Sequence, residues 1–422
     1  MGEEPTHTAA ASDDGSSIEA GTSAAAMAAT ERWSMLPDDI LSLVYSRVNC
    51  AVDRVRFAAV CRSWRAIAPM HPPRRVLPWL ILDPGSNDRA KHAYCLEDGT
   101  ILSRFRFPTE VVGARIIGSH DGGWVAVSDA PLRIVNLFSG SEVPLLAKQR
   151  SIIRLRPRAK LFVPLKVIFS EPPTSSGCIL AAIIGRSEVA ICGLGRPKSA
   201  WLPQRFVGMT IVDIAFCNGH LYCLMSETME IVRFEVGLTK HGVFKGDPQW
   251  LVIQDQGYLQ ANGDPDERAM YIVELRGKIV IVMRKTRGSW WWSRNKTLPF
   301  FICLELVDIG HGWYKWEIVK SLGDHALFLG PMFSKAMHVS IGEHCSPRRN
   351  HIYYSHHRCY PRKECFPNDA KEFLTSSNSD GCHVYYKQGE SVDNSDVGIM
   401  SVGYYVLGGN QCPPMWLFPP DL

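Results

Sequence analysis

The chain has 422 residues, of which 46% are hydrophobic and 21% charged, so most of it is expected to fold around an apolar core. Its formal net charge of +4 is too small to indicate nucleic acid as a partner. No apolar run reaches the roughly 20 residues that a membrane-spanning helix needs. The acidic start of the sequence lacks the basic and apolar regions of a secretory signal peptide.

The cysteine content indicates a compartment. Thirteen cysteines without a signal peptide are typical of reduced thiols in an intracellular protein rather than of a disulfide framework. We therefore expect the protein in the cytoplasm, the nucleus or both, with no membrane partner.

Residues 1–31 contain few branched or aromatic side chains. Such a segment cannot bury enough apolar surface to offset the entropy of ordering, so we predict a disordered N-terminal region. The tract 22–30 is rich in alanine but too short to form a stable helix alone in water.

The following segment, residues 33–68, has helical periodicity. Ser34 is expected to cap a first helix, because Pro37 and two acidic residues follow it. The apolar residues of this helix fall on one broad face: Ile40, Leu41, Leu43, Val44 and Val48. A second helix is predicted to begin near Asp53, with the apolar set Val52, Val55, Ala59, Val60, Trp64 and Ile67. Prolines at 69, 72 and 73 end the helical region.

After about residue 76 the pattern changes to short apolar runs between Gly, Asp, Asn and Pro, which is typical of antiparallel strands. The clearest runs are 124–127, 132–137, 179–184, 220–224, 229–236, 278–283, 325–329 and 351–354. Strand pairs return at uneven intervals of about 25 to 60 residues, near the blade period of a β-propeller. A sandwich of two sheets remains the alternative.

Two motifs resemble a known family. The first has the order and spacing of an F-box and consists of Leu36-Pro37-Asp38-Asp39-Ile40-Leu41, Val44, Arg47-Val48 and Arg56-Phe57-Ala58-Ala59-Val60-Cys61-Arg62-Ser63-Trp64-Arg65. The second is similar to the plant F-box family whose C-terminal part is called domain of unknown function 295. It consists of Trp313, Trp316, Ser321-Leu322-Gly323-Asp324-His325-Ala326-Leu327-Phe328-Leu329-Gly330, Asn350-His351-Ile352-Tyr353-Tyr354 and the segment 413–419 with Trp416.

The resemblance implies an α+β multidomain chain. A small all-α F-box domain at 32–70 would be followed by a linker and the start of the β domain at 71–90. Residues 91–422 would then form a large all-β domain, a kelch-like β-propeller with irregular blades.

The resemblance also implies a function. The chain would be the substrate-recognition subunit of an SCF-type (Skp–cullin–F-box) E3 ubiquitin ligase, a non-catalytic adaptor. The F-box would bind a Skp-type adaptor and, through it, a cullin–RING ligase, while the β domain holds a protein substrate for ubiquitination and degradation. A segment of about 35 residues leaves part of its apolar stripe uncovered, which favours a helical partner. We expect the docking surface to consist of Leu36, Pro37, Ile40, Leu41, Val44, Val48, Val60, Cys61 and Trp64.

The alternative is a regulatory binding protein that uses the propeller without degradation, with a protein or nucleic acid as its partner. Bases interleaved with aromatic residues are used by single-strand binders. Here Arg284, Lys285, Arg287, Arg294 and Lys296 flank Trp290-Trp291-Trp292, and Arg150, Arg154, Arg156, Arg158 and Lys160 form a second basic run. We interpret both as solvated loops and do not expect nucleic acid as a partner.

Cysteine and histidine are frequent late in the sequence: His344, Cys345, His351, His356, His357, Cys359, Cys365, Cys382 and His383. Their spacing fits no standard zinc finger, so we expect no metal.

The sequence contains no nucleophile elbow, phosphate loop, dinucleotide fingerprint or HExxH motif. We therefore expect no cofactor and no catalytic residues.

Overall fold

The computed structural model describes residues 33–48, 51–71, 77–82, 91–96, 99–102, 105–128, 131–150, 166–196, 198–226, 230–254, 269–285, 300–340, 347–356, 374–377, 383–389, 398–407 and 414–420. The N-terminal region predicted to be disordered lies outside these residues. The chain divides into two compact units, Met1–Arg75 with Leu422, and Val76–Asp421. Among the described residues, no helix has both the length and the apolar composition needed to cross a bilayer.

Between residues 38 and 71, the described part of the first unit contains three helices: α1 (Asp38–Arg47), α2 (Ala51–Val60) and α3 (Arg62–Ile67), followed by a 3-10 turn, Ala68–Met70. The predicted cap at Ser34 is wrong, because Ser34 lies in a separate helical turn and the residue before α1 is Pro37. The carbonyl of Pro37 accepts the first helical hydrogen bond from Leu41, at 3.0 Å. The two acidic residues occupy the first turn, as expected from the helix dipole.

The predicted second helix is two helices. Cys61 adopts an extended backbone, with φ −160° and ψ −179°, between α2 and α3. An extended residue cannot continue the helical hydrogen-bond ladder, so the chain changes direction there. Its carbonyl accepts the amide of Arg65 at 3.0 Å, which begins α3. α3 then packs against both α1 and α2.

The second unit is built from strands, with two short helices, α4 (Thr109–Val112) and α5 (Ala147–Arg150). The strands of its first half are β1 (Trp79–Leu82), β2 (His92–Cys95), β3 (Thr100–Ile101), β4 (Arg115–His120), β5 (Trp124–Ser128), β6 (Leu132–Asn136), β7 (Lys166–Phe169), β8 (Ile179–Gly185), β9 (Glu188–Gly193), β10 (Leu202–Arg205), β11 (Ile211–Cys217), β12 (His220–Met225) and β13 (Ile231–Leu238). β1 lies inside the range 71–90 that the sequence assigned to the linker and the start of the β domain.

The remaining strands are β14 (Val243–Lys245), β15 (Gln249–Trp250), β16 (Val252–Gln254), β17 (Ala269–Leu275), β18 (Lys278–Lys285), β19 (Phe300–Gly310), β20 (Trp313–Ile318), β21 (His325–Leu329), β22 (Lys335–His338), β23 (His351–His356), β24 (Leu374–Ser377), β25 (His383–Gly389), β26 (Met400–Leu407) and β27 (Met415–Leu417). Each run that the sequence identified as a strand lies in or overlaps one of these elements.

The described strands form six sheets, most of them antiparallel and built from consecutive strands. Their orders are β27-β1-β2-β3, β4-β5-β6, β7-β8-β9-β10, β11-β12-β13-β14 with β15 on β13, β16-β20-β19-β18-β17, and β22-β21-β23-β26-β25-β24. One edge strand of each sheet contacts an edge strand of the next sheet, in the order β27, β4, β7, β11, β17 and β22. This arrangement is a β-propeller, and the two-sheet sandwich is wrong.

Close contacts hold neighbouring sheets together. Gly118 of β4 packs on the backbone of Val167 in β7, where a Cβ atom would overlap the carbonyl oxygen. The buried carboxylate of Asp213 in β11 pairs with Lys166 of β7 and accepts the amide of Ile272 in β17 at 3.2 Å. Three consecutive sheets are therefore joined through one side chain.

The C-terminal strand closes the ring. β27 pairs with β1, so that Trp79 faces Leu417. Trp416 is fully buried, and its indole Nε1 donates to the carbonyl of Leu329 at 2.9 Å. Its own carbonyl accepts a hydrogen bond of 2.7 Å from the hydroxyl of Ser119. One residue thereby connects the first sheet with the second and the sixth.

Candidate functional site

Helix α1 carries apolar residues on two different faces. Leu41 and Tyr45, one turn apart, are 0% and 4% exposed and point into the first unit. Ile40, Leu43 and Val44 are spaced as a second stripe and remain 41%, 49% and 39% exposed. A helix that only packed on its own unit would have polar residues at these positions, so the second stripe is available to a partner.

The inward face of α1 is fixed by a small core. It consists of four buried residues, Leu41, Tyr45, Phe57 and Ile67. The ring of Phe57 lies 5.1 Å from the ring of Tyr45, in an edge-on arrangement, and 4.4 Å from that of Trp64. These contacts determine which side of α1 faces outward.

A buried arginine fixes the corner between α1 and α2. Arg54 is 4% exposed, and its Nε donates to the carbonyl of Val48 at 2.7 Å, where α1 ends. Its guanidinium also lies 5.6 Å from the centre of the Tyr45 ring. The bond satisfies a carbonyl that the end of a helix leaves without an intrahelical partner.

The structure places most of the predicted docking residues at the surface, but not all. The exposed ones are Pro37, Ile40, Val44 and Val60, and the half-buried ones are Leu36, Val48, Cys61 and Trp64. Leu41 is fully buried in the core and does not share that surface. Leu36 and Trp64 pack partly against the core, and the indole Nε1 of Trp64 donates to the carbonyl of Trp33 at 3.0 Å.

Several exposed apolar residues of the first unit were missing from the predicted docking set, among them Leu43 and Met35. Leu43 extends the outward stripe of α1, and its position three residues after Ile40 was a sufficient signal. Met35 is 80% exposed just before the helix, and no periodic pattern identifies it. We define the apolar face as Met35, Ile40, Leu43 and Val44. The side chains of this face are apolar, so a partner that covered it would bind by burying apolar surface.

The other features noted in the sequence lie mainly outside the described residues. This applies to the tryptophan triplet, to residues 154–160, and to His344, Cys345, His357, Cys359, Cys365 and Cys382. Within the part of the chain that the structure describes, no group of three His, Cys, Asp or Glu residues is arranged to hold a metal ion. Arg284 was interpreted as part of a solvated loop, which is wrong, because it lies on β18 and is 4% exposed.

Comparisons with known families match both units. Residues 33–71 match an F-box-like model, and residues 93–386 match the model of the KIB1-4 beta-propeller. The second match spans more than half of the sequence. The chain therefore belongs to the F-box proteins that carry a KIB1-4 beta-propeller.

Similar proteins include several from Arabidopsis thaliana. The putative F-box protein At4g22660 is 30% identical over 382 residues, covering 79% of this chain and 89% of its own length. The probable F-box protein At4g22060 is 22% identical over 359 residues, covering 77% and 84%. Among solved structures, the WD40 domain of SCAP from fission yeast aligns over 76% of this chain and 80% of its own, at 10% identity. Its TM-score of 0.28 is too low to support an argument.

Proposed function

We propose that this chain is the substrate-recognition subunit of an SCF-type E3 ubiquitin ligase. The apolar face docks on a Skp-type adaptor, and the β unit binds a protein substrate for ubiquitination and degradation. The subunit performs no chemistry itself and contributes by holding the substrate near the charged ubiquitin carrier. We place this role in the cytoplasm, the nucleus or both.

The observation that carries the proposal is the pair of stripes on α1. The inward stripe is already used by the core, while Ile40, Leu43 and Val44 stay in water. Burying a fully exposed side chain of this kind is worth about 1.5–3 kcal/mol, and since these three are already more than half buried, each can gain about half of that. Together they form an apolar anchor for a partner with a matching groove, and contacts elsewhere in the interface supply the rest of the driving force.

The test is to place charge on the apolar face. We expect Ile40→Asp with Val44→Asp to abolish co-purification of the Skp-type adaptor and the cullin from plant cells. Burying two carboxylates in an apolar interface costs more than the contacts contribute. The matched control is Ser46→Asp, on the same helix but away from both stripes, which should bind normally. Far-UV circular dichroism checks that α1 remains folded. Undiminished binding of the double variant would falsify the proposal.

A second variant examines the start of the motif. Leu36→Ala with Pro37→Ala should also abolish adaptor capture, although Leu36 packs partly against the core. Its folding must therefore be verified before the result is interpreted.

The alternative, a regulatory binding protein, needs neither adaptor nor cullin. Recovery of both with the wild-type chain therefore distinguishes the ligase subunit from the regulatory protein.

A further inference from the structure

An arginine is buried between two sheets of the β unit. Arg284, the second-last residue of β18, is 4% exposed. Its Nε and Nη1 atoms are inaccessible to solvent and have no hydrogen-bond partner among the described residues. Facing it across the interface is Tyr354 of β23, whose ring centre lies 5.7 Å from the guanidinium carbon. The residue lies at the end of its strand, not in the middle of the sheet.

A guanidinium in this position needs an anion. Arginine does not lose its proton in proteins, so it cannot become neutral as a buried lysine or carboxyl group can. An unpaired charge in an apolar interior is strongly unfavourable even after relaxation. The attraction to the Tyr354 ring offsets only part of that cost. This attraction does not replace the hydrogen bonds that the guanidinium N–H groups lack.

The described acids of the neighbouring strands are already engaged elsewhere. Glu305 of β19 pairs with Lys278, and Glu274 of β17 accepts the amide of Gly277. Both lie near the other end of β18, because Glu305 faces Val280 and Glu274 faces Ile279. In the facing sheet, Asp324 pairs with Arg276 in the turn that follows β17.

The surroundings of Arg284 are aromatic. Phe301 of β19 is paired with Arg284 in the sheet, and the rings of Phe301 and Tyr354 lie 4.9 Å apart. Gly403 of β26 allows this arrangement, since a Cβ atom there would overlap the ring and hydroxyl of Tyr354. The guanidinium thus packs against aromatic side chains, and two of its N–H groups make no hydrogen bond. Binding sites for small ligands often combine an apolar lining with one charged side chain in this way.

We propose that Arg284 anchors a binding site for a small molecule bearing an oxyanion, a carboxylate or phosphate group, at this end of the two facing sheets. Charge-assisted hydrogen bonds from a guanidinium to such groups are short and strong. Because neither free donor is accessible to solvent, a neighbouring side chain must move aside to admit the anionic group. This site lies in the β unit and is independent of the apolar face.

The experiment measures thermal unfolding of the full chain in chloride, with phosphate, sulfate or acetate titrated in at constant ionic strength. For the wild type, at least one oxyanion should raise the Tm in a saturable manner, by about 2 °C or more. Arg284→Met should lose this response. It should also be as stable as the wild type in chloride or more stable, because an unpaired buried charge has been removed. The control, Lys278→Met, removes an exposed cation of the same strand and should keep the response.

The opposite results overturn the proposal. No saturable response in the wild type excludes the site, and an equal response in Arg284→Met places the anion elsewhere. If Arg284→Met lowers the Tm in chloride and no oxyanion acts on the wild type, an acid of the chain itself already pairs with Arg284. Should Arg284→Met fail to fold, Arg284→Lys keeps the charge but loses the planar donors. It should then weaken oxyanion affinity at least tenfold, and unchanged affinity contradicts the proposal.

Discussion

The two units use their apolar residues in opposite ways. The F-box unit has a core of four buried hydrophobic residues and leaves an apolar face of similar size in water. In the described part of the β unit, four apolar clusters each contain between thirteen and sixteen buried residues. A small unit buries too little surface to be strongly stable alone. The F-box unit therefore depends on every core residue, whereas the β unit distributes its stability over many contacts.

The largest effect is expected from Phe57→Ala in the F-box unit. The variant removes one of four core residues and the ring contacts with Tyr45 and Trp64, a loss of about 3–5 kcal/mol. We expect the three helices to unfold and adaptor binding to disappear, while the thermal transition of the β unit stays where it is. Calorimetry with a parallel pull-down measures both. A β unit that unfolds together with the helices would contradict the independence of the two units.

A smaller effect is expected from Gly118→Ala in the β unit. The added methyl group meets the carbonyl oxygen of Val167, so two sheets must separate, at a cost of about 1–3 kcal/mol. The matched control is Gly185→Ala, where a Cβ atom meets no other atom within 4 Å. Chemical denaturation should show a lower midpoint only for Gly118→Ala, with adaptor binding retained. Equal midpoints for the two variants would show that the sheets adjust without strain.

The smallest effect concerns acid stability at the surface. Hydrogen bonds from His325 and Arg276 hold the pKa of Asp324 at about 2, below its usual 3.8. A carboxyl group with a lowered pKa in the folded state stabilises it above pH 4, and this contribution is lost as pH falls toward 2. Asp324→Asn should therefore reduce the Tm slightly at pH 7, and the difference from the wild type should vanish near pH 2. The control, Asp247→Asn, replaces an exposed carboxyl group and should leave the Tm at pH 7 unchanged.

Local patterns predicted much of this structure. The F-box helices follow from the spacing of Ile40, Leu41 and Val44, and the strands follow from short apolar runs between turn residues. The break at Cys61 was not predictable in this way, because α2 and α3 continue one apolar periodicity and only their packing against α1 separates them. The cap at Ser34 failed for a related reason, since several polar residues near a helix start satisfy the same rule.

Pairings between distant strands were beyond local reasoning. The parallel contacts of β21 with β23, and of β23 with β26, join segments that the sequence separates by long intervals.

The burial of the site residues could not be predicted from local sequence either. Leu41 and Val44 are equally apolar in the sequence, and only the position of Phe57 and Ile67 decides which of them is buried. Arg284 resembled a loop residue because its basic neighbours suggested solvent.

The pairing of β27 with β1 determines the order in which the two units can be completed during synthesis. The ribosome has produced all three F-box helices by residue 67, but the first sheet stays incomplete until residue 417 has left the exit tunnel. Such distant pairing is also slow to form. A nascent chain would thus present its apolar face while the ring is still open. A premature stop codon before residue 415 would yield a product with the apolar face but without a closed propeller, and under the proposed function it would compete with the full-length subunit for the adaptor.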